Sequence, residues 1–136
     1  MKIKIETIVY ADPATVWAAW TTPDDISQWN AASDDWHTPR SSNDLWVGGQ
    51  FSYRMEAKDG SMGFDFAGIY TKVVEQTLIE YTLGDARTVA VEFVPAGDSV
   101  KVIETFEAED ENSVEMQRQG WQNILNNFKR HVESKA

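Results

Sequence analysis

The stretch Ser113–His131, SVEMQRQGWQNILNNFKRH, decides how the rest of the chain must fold. Val114, Gln117, Trp121, Leu125, Phe128 and Val132 recur at steps of three or four, with Ile124 beside them. That spacing gathers one mostly apolar face on an α-helix. Arg118, Gln122, Asn126, Lys129 and Glu133 fall on the opposite, polar side. Asn112 is placed to cap the first turn, and Glu115 stands where a capping-box acid belongs. Lys129, Arg130 and Lys135 lie at the end where the helix dipole favours cations. A face of Trp, Leu and Phe needs a broad apolar surface to cover, and the preceding residues read as the strands that supply it.

Lys2 to Tyr10 alternates, with Ile3, Ile5 and Ile8 expected on one side. Asp12-Pro13 opens a short helix whose apolar side carries Val16, Trp17 and Trp20. Thr22-Pro23 repeats the signal for a second helix holding Ile26 and Trp29, with Thr22 as its cap. Asn30 to Asp44 shows little periodicity and reads as a long loop that folds back through Trp36. From Leu45 onward, the pattern becomes strands divided by turn residues, with Gly48-Gly49 leading into Gln50 to Ala57. Phe51, Tyr53 and Met55 alternate in the first run. Asp59-Gly60 marks a tight hairpin. Phe64, Phe66 and Tyr70 share a face in the next run, where Gly68 allows a bend. Ile79, Tyr81 and Leu83, then Val89, Val91 and Phe93, then Val102 and Phe106 continue the pattern, with Pro95 to Asp98 as a turn. The expected fold class is α+β. A curved antiparallel sheet of six or seven strands wraps a long final helix, with two short helices after the first strand.

Composition sets outer bounds. A chain of 136 residues with 42% hydrophobic content suits one domain, residues 1–136, with a packed core. A net charge of −10 and a pI of about 4.5 oppose phosphate backbones and anionic lipid heads, so nucleic acid and membrane are not expected partners. With no cysteine there is no disulfide, thiol nucleophile or thiolate metal site. The N-terminus alternates instead of showing a signal-peptide block, and a soluble cytoplasmic protein is the expectation. Nothing separates a monomer from a homodimer.

Several motifs occur together in a recognisable order. They are the capped Pro-Ala-Thr-Val-Trp helix, Thr-Pro-Asp-Asp with Trp29, and Gly48-Gly49-Gln50-Phe51. Asp59-Gly60, Gly68-Ile69-Tyr70, Tyr81-Thr82 and Gly120-Trp121 follow. Across nearly the whole chain these resemble the START-like (SRPBCC) superfamily, and within it the branch named after the activator of HSP-90 ATPase (homologue-1-like). The resemblance implies a helix-grip fold with a cavity between sheet and C-terminal helix. Members bind lipids, hormones or polyketides, and some relatives are cyclases or hydrolases. The eukaryotic activator has an additional chaperone-binding domain that this chain is too short to include, so a chaperone partner is carried by the family name. Fold analogy does not by itself assign an activity.

The expected cavity lining, for a small apolar or aromatic ligand, is Trp29, Trp36, Phe51, Tyr53, Phe64, Phe66, Tyr70, Tyr81, Val91, Phe93, Glu104, Gln117, Trp121 and Leu125. The same rings also read as plain core. Gly120 is expected to let Trp121 approach the sheet closely. Glu104 shares the parity of Val102 and Phe106, so it faces inward if that parity holds, with Gln117 as its polar neighbour. Asp35 and His37 form the other candidate catalytic pair, a carboxylate able to orient an imidazole. Against this stands the simpler reading of loop residues making local hydrogen bonds. Arg54 and Asp65 are expected to pair across strands on the outer face. No metal-ligand spacing, phosphate loop or cofactor motif is present in the sequence.

Overall fold

The computed structural model describes residues 1–135. Strand β1 (Lys2–Val9) leads into helices α1 (Pro13–Thr21) and α2 (Pro23–Trp29). Then come β2 (Trp36–Asn43), β3 (Gln50–Ala57), β4 (Gly63–Val74) and β5 (Leu78–Leu83). Strands β6 (Thr88–Ala96) and β7 (Ser99–Glu107) and the long helix α3 (Val114–Lys135) follow. The seven strands form one antiparallel sheet in the order β1-β7-β6-β5-β4-β3-β2, curled into a half-barrel. Only β1 departs from sequence order, returning to pair with β7 through registers such as Ile5 opposite Glu104.

Helix α3 buries Leu125, Phe128 and Val132 completely. Its polar stripe has a second task. The side chains of Arg118, Gln122 and Lys129 donate to the backbone oxygens of Lys4, Glu6 and Ile8 at 3.2, 3.3 and 2.5 Å. Glu133 accepts from the Tyr10 N–H at 2.9 Å. Strand β1 is an edge, and its free carbonyls would otherwise be open to pairing with another chain. The helix thus covers both the concave face and this edge. Its far end is tied to α2, where Asp25 accepts from Lys135 at 2.5 Å and lies 2.8 Å from the His131 Nε2. Burial alone would raise the Asp25 pKa, but the hydrogen bonds from Lys135 and His131 outweigh it and lower the value.

Several expectations need correction. The region read as a loop contains β2. Its composition is polar because it is the opposite edge strand, paired only with β3, and its register shifts between His37 and Arg40 around Pro39. In β1 the inward residues are Ile3, Ile5 and Val9, while Ile8 is 45% exposed, as strict alternation from Ile3 requires. Ser113, not Asn112, caps α3, its hydroxyl accepting the Met116 N–H at 3.1 Å. Asn112 instead donates to Glu109, and Glu115 pairs with Arg118 at 3.4 Å. Asp12 caps α1 through the Thr15 N–H, but Thr22 makes no side-chain cap. Pro95 belongs to β6, opposite Val100.

Gly68 serves close packing more than bending. A Cβ there would lie 2.6 Å from the Thr82 carbonyl oxygen and 2.9 Å from the Phe51 ring. The β4 irregularity falls between Tyr70 and Lys72 instead. Gly120 makes no close approach, since a Cβ at that position would meet nothing within 4 Å. Arg54 and Asp65 do pair across β3 and β4, at 3.7 Å.

Candidate functional site

Alternation along β7 turns Val100, Val102, Glu104 and Phe106 toward α3. On neighbouring strands the same rule turns inward Tyr53 and Met55 of β3, Phe66 and Tyr70 of β4, and Ile79 and Tyr81 of β5. The C-terminal half of α3 packs tightly against α1 and α2. Phe128 meets Trp20 and Trp29 edge-on, with centroids 4.8 and 5.0 Å away. The Trp29 indole N–H donates to the Ala19 carbonyl oxygen at 2.9 Å, fixing α2 against α1. Toward the middle of α3 the packing opens, and Trp121 and Ile124 are only half-buried. Between them and the sheet lies a cavity of about 140 Å³, partly open to the surface.

Aromatic side chains make most of its wall: Trp20, Trp29, Tyr53, Phe64, Phe66, Tyr70, Tyr81 and Trp121. Met55, Ile79 and Ile124 add aliphatic surface, and Asn30 and Glu104 add polar groups. Asn30 ends α2 and is held to β2, its carbonyl accepting the Thr38 hydroxyl at 2.5 Å. Glu104 is 6% exposed. Its carboxyl makes no ion pair and no side-chain hydrogen bond among the described residues. Burial pushes its pKa from 4.5 to about 8, so at neutral pH it holds its proton. Burial also pushes the Tyr53 and Tyr81 phenols well up, and for Tyr81 the nearby Glu104 adds to this.

Eight of the sequence-predicted residues meet at the cavity: Trp29, Tyr53, Phe64, Phe66, Tyr70, Tyr81, Glu104 and Trp121. Phe51, Val91, Phe93 and Leu125 lie in the packed core instead. Phe93 is covered by Trp17 and Trp20, and Phe51 by Tyr53, Tyr70 and Tyr81. Trp36 sits outside the cavity, its ring 6.0 Å from that of Phe64. Gln117, expected beside Glu104, turns its amide to the β7–α3 connection. There it accepts the Glu109 N–H at 2.8 Å and donates to the Glu109 and Asn112 carbonyls at 3.0 and 2.9 Å.

The expected pairing of Asp35 with His37 is not made. Asp35 accepts from the Ser33 hydroxyl, and its backbone oxygen takes the Lys58 N–H. The His37 Nε2 lies 4.0 Å from a Glu56 carboxylate oxygen, with the side chain 44% exposed. His37 borders a separate open depression together with Asp34, Asn127 and His131. Trp20, Asn30, Met55, Ile79 and Ile124 line the cavity without having been expected there. Met55 and Ile79 share the parity of Tyr53 and Tyr81, a signal that was available. Asn30, a polar helix-end residue, offered none. No group of three or more His, Asp or Glu residues able to hold a metal occurs among the described residues. Nor is any described helix long and apolar enough to cross a membrane.

A curled antiparallel sheet gripping a C-terminal helix over an aromatic cavity defines a START-like, helix-grip domain. Residues 10–133 match the family model described as activator of Hsp90 ATPase homolog 1-like protein, and the chain belongs to that family. It is similar to the AHSA1-like protein of Aeromonas hydrophila, at 48% identity and a TM-score of 0.93, covering 99% of this chain and 94% of that one. It is also similar to Chr148 of Cytophaga hutchinsonii, at 47% identity and a TM-score of 0.85, covering 98% and 93%. The Aha1 dimer of Colwellia psychrerythraea shares the fold at 16% identity and a TM-score of 0.77, covering 98% and 96%. No curated protein matches the sequence.

Proposed function

We propose that this protein binds a small apolar or aromatic molecule in the cavity between the sheet and α3. The observation that carries the proposal is the cavity itself, about 140 Å³ and walled mainly by aromatic rings where a plain core would be closed. Its size sets the scale of the ligand. Drug-sized pockets span roughly 300–1,000 Å³, whereas an apolar cavity of about 150 Å³ accepts benzene. A one-ring molecule fits inside, and a longer one would extend through the open side.

In this reading the protein is cytoplasmic and acts as a monomer or homodimer. A cyclase- or hydrolase-type reaction would have to run on Glu104 alone at this cavity, because His37 borders a different depression. A chaperone partner is suggested by the family's description and by no feature of the cavity. Native mass spectrometry of the purified protein against a library of one-ring and lipid-like compounds tests the reading. Saturable one-to-one adducts with one-ring compounds are expected. Their absence at millimolar compound would contradict it.

A further inference from the structure

Glu104 is the one side chain in the cavity that plain packing does not explain. An unpartnered buried acid costs stability, and replacing it with an apolar residue would remove that cost. Its strand neighbours are apolar, and it borders the cavity. From β1 it faces Ile5, and from β6 Val91. Across the cavity, α3 presents Trp121 and Ile124, while α1 and α2 present Trp20, Trp29 and Asn30. The remaining titratable groups on the wall are the phenols of Tyr53, Tyr70 and Tyr81. Thus the cavity has an acid and aromatic ring faces but, among the described residues, no cationic side chain on its wall.

Aromatic faces carry negative potential and attract cations within about 6 Å of the ring centroid. The acid adds to that potential once it ionises. The net charge of −10 enriches cations around the molecule and depletes anions. We infer, resting on the ligand-binding reading above, that the cavity selects a small organic cation, an aromatic amine or ammonium whose charge is balanced by Glu104 while its ring packs against Trp121, Phe66 and Tyr81. The ligand then supplies the counter-charge that the fold withholds, and the acid releases its proton when the ligand enters.

The test uses two probes of one shape, phenyltrimethylammonium and tert-butylbenzene, whose charges do not change with pH. Affinities are measured by calorimetry for the wild type and Glu104→Gln at pH 7 and pH 9. With a carboxyl that titrates near pH 8, wild-type affinity for the cation should rise about tenfold across that interval. The substitution should abolish the rise and weaken cation binding at pH 9 by about tenfold or more. Binding of tert-butylbenzene to the wild type should not rise between pH 7 and pH 9, and thermal unfolding reports separately that the variant is folded. If tert-butylbenzene binds and the cation does not, the ligand-binding reading stands and the cation inference falls. The inference falls too if cation affinity is flat with pH or unchanged in Glu104→Gln. It also falls if the neutral acceptor acetophenone outcompetes the cation and loses affinity above pH 8. If no probe binds, both readings fall.

Discussion

The indole of Trp121 lies flat against the ring of Phe106, with centroids 3.9 Å apart and planes 7° from parallel. The same indole meets Phe66 edge-on at 5.9 Å. One side chain of α3 therefore joins β7 to β4 across the concave face and also walls the cavity. Full truncation of a buried tryptophan costs about 3–5 kcal/mol, and Trp121 is half-buried. Trp121→Ala should lower the unfolding free energy by about 3 kcal/mol, with Trp121→Phe retaining most of it. Urea denaturation measures both. A loss below about 1 kcal/mol would mean that the stack contributes little.

Two glycines should respond with opposite signs. Gly120 sits within α3 with open space around it, so Gly120→Ala should stabilise by about 0.5–1 kcal/mol. Gly68 has the Phe51 ring and the Thr82 carbonyl where a Cβ would go, so Gly68→Ala should destabilise by roughly 1–3 kcal/mol. Thermal unfolding of the two variants separates them. A shift in the same direction for both would contradict the packing described.

Much of this fold is legible in the sequence because both faces of the grip follow a period. The 3.6-residue stripe from Val114 to Val132 and the alternation of Phe51-Tyr53-Met55 or Val102-Glu104-Phe106 each point to one buried surface. Strand β2 escapes that reading because an edge strand packed on one neighbour needs no continuous apolar face, and Trp36-His37-Thr38-Pro39 has none. The cavity is only half legible. Periodicity tells which side chains face the helix, so Tyr53, Tyr81 and Glu104 are found. It does not tell where packing fails to close. That depends on how α2 and β2 meet through Asn30 and Thr38, and on where α3 lifts from the sheet. Hence Phe51 and Val91 are core, while Trp20 and Ile124 border space.

The buried acid makes stability depend on pH in a direction opposite to that of a paired surface carboxylate. Unfolded, Glu104 loses its proton near pH 4.5, but folded it keeps it to about pH 8. The native state therefore binds more protons across that window, and the contribution of Glu104 to stability falls as pH rises through it. Between pH 5 and pH 9 the loss is on the order of 4 kcal/mol. Glu104→Gln cannot ionise, so its stability relative to wild type should climb steadily over the same range. Urea midpoints at several pH values give the comparison, and parallel curves for the two proteins would argue against a buried, proton-holding acid.

Asp25 is the opposite case. Hydrogen bonds from Lys135 and His131 prevail over burial and lower its pKa, so its contribution is present above about pH 4 and lost as pH falls through the lowered folded value. Asp25→Asn should cost roughly 1–3 kcal/mol at pH 7 and loosen the end of α3 from α2. Hydrogen exchange at the amides of residues 129–135 reads that loosening. Unchanged protection there, with unchanged stability, would show that the cluster is ornamental.

The proposed binding site is the space under Trp121. Its most direct measurement is a two-dimensional ¹H–¹⁵N NMR titration of the protein with toluene. The indole N–H signals of Trp20, Trp29 and Trp121, which line the cavity, should shift saturably and fit one dissociation constant, while that of Trp46, 61% exposed and outside it, stays in place. Indole signals that do not move, or that move together with Trp46 without saturating, would contradict the account.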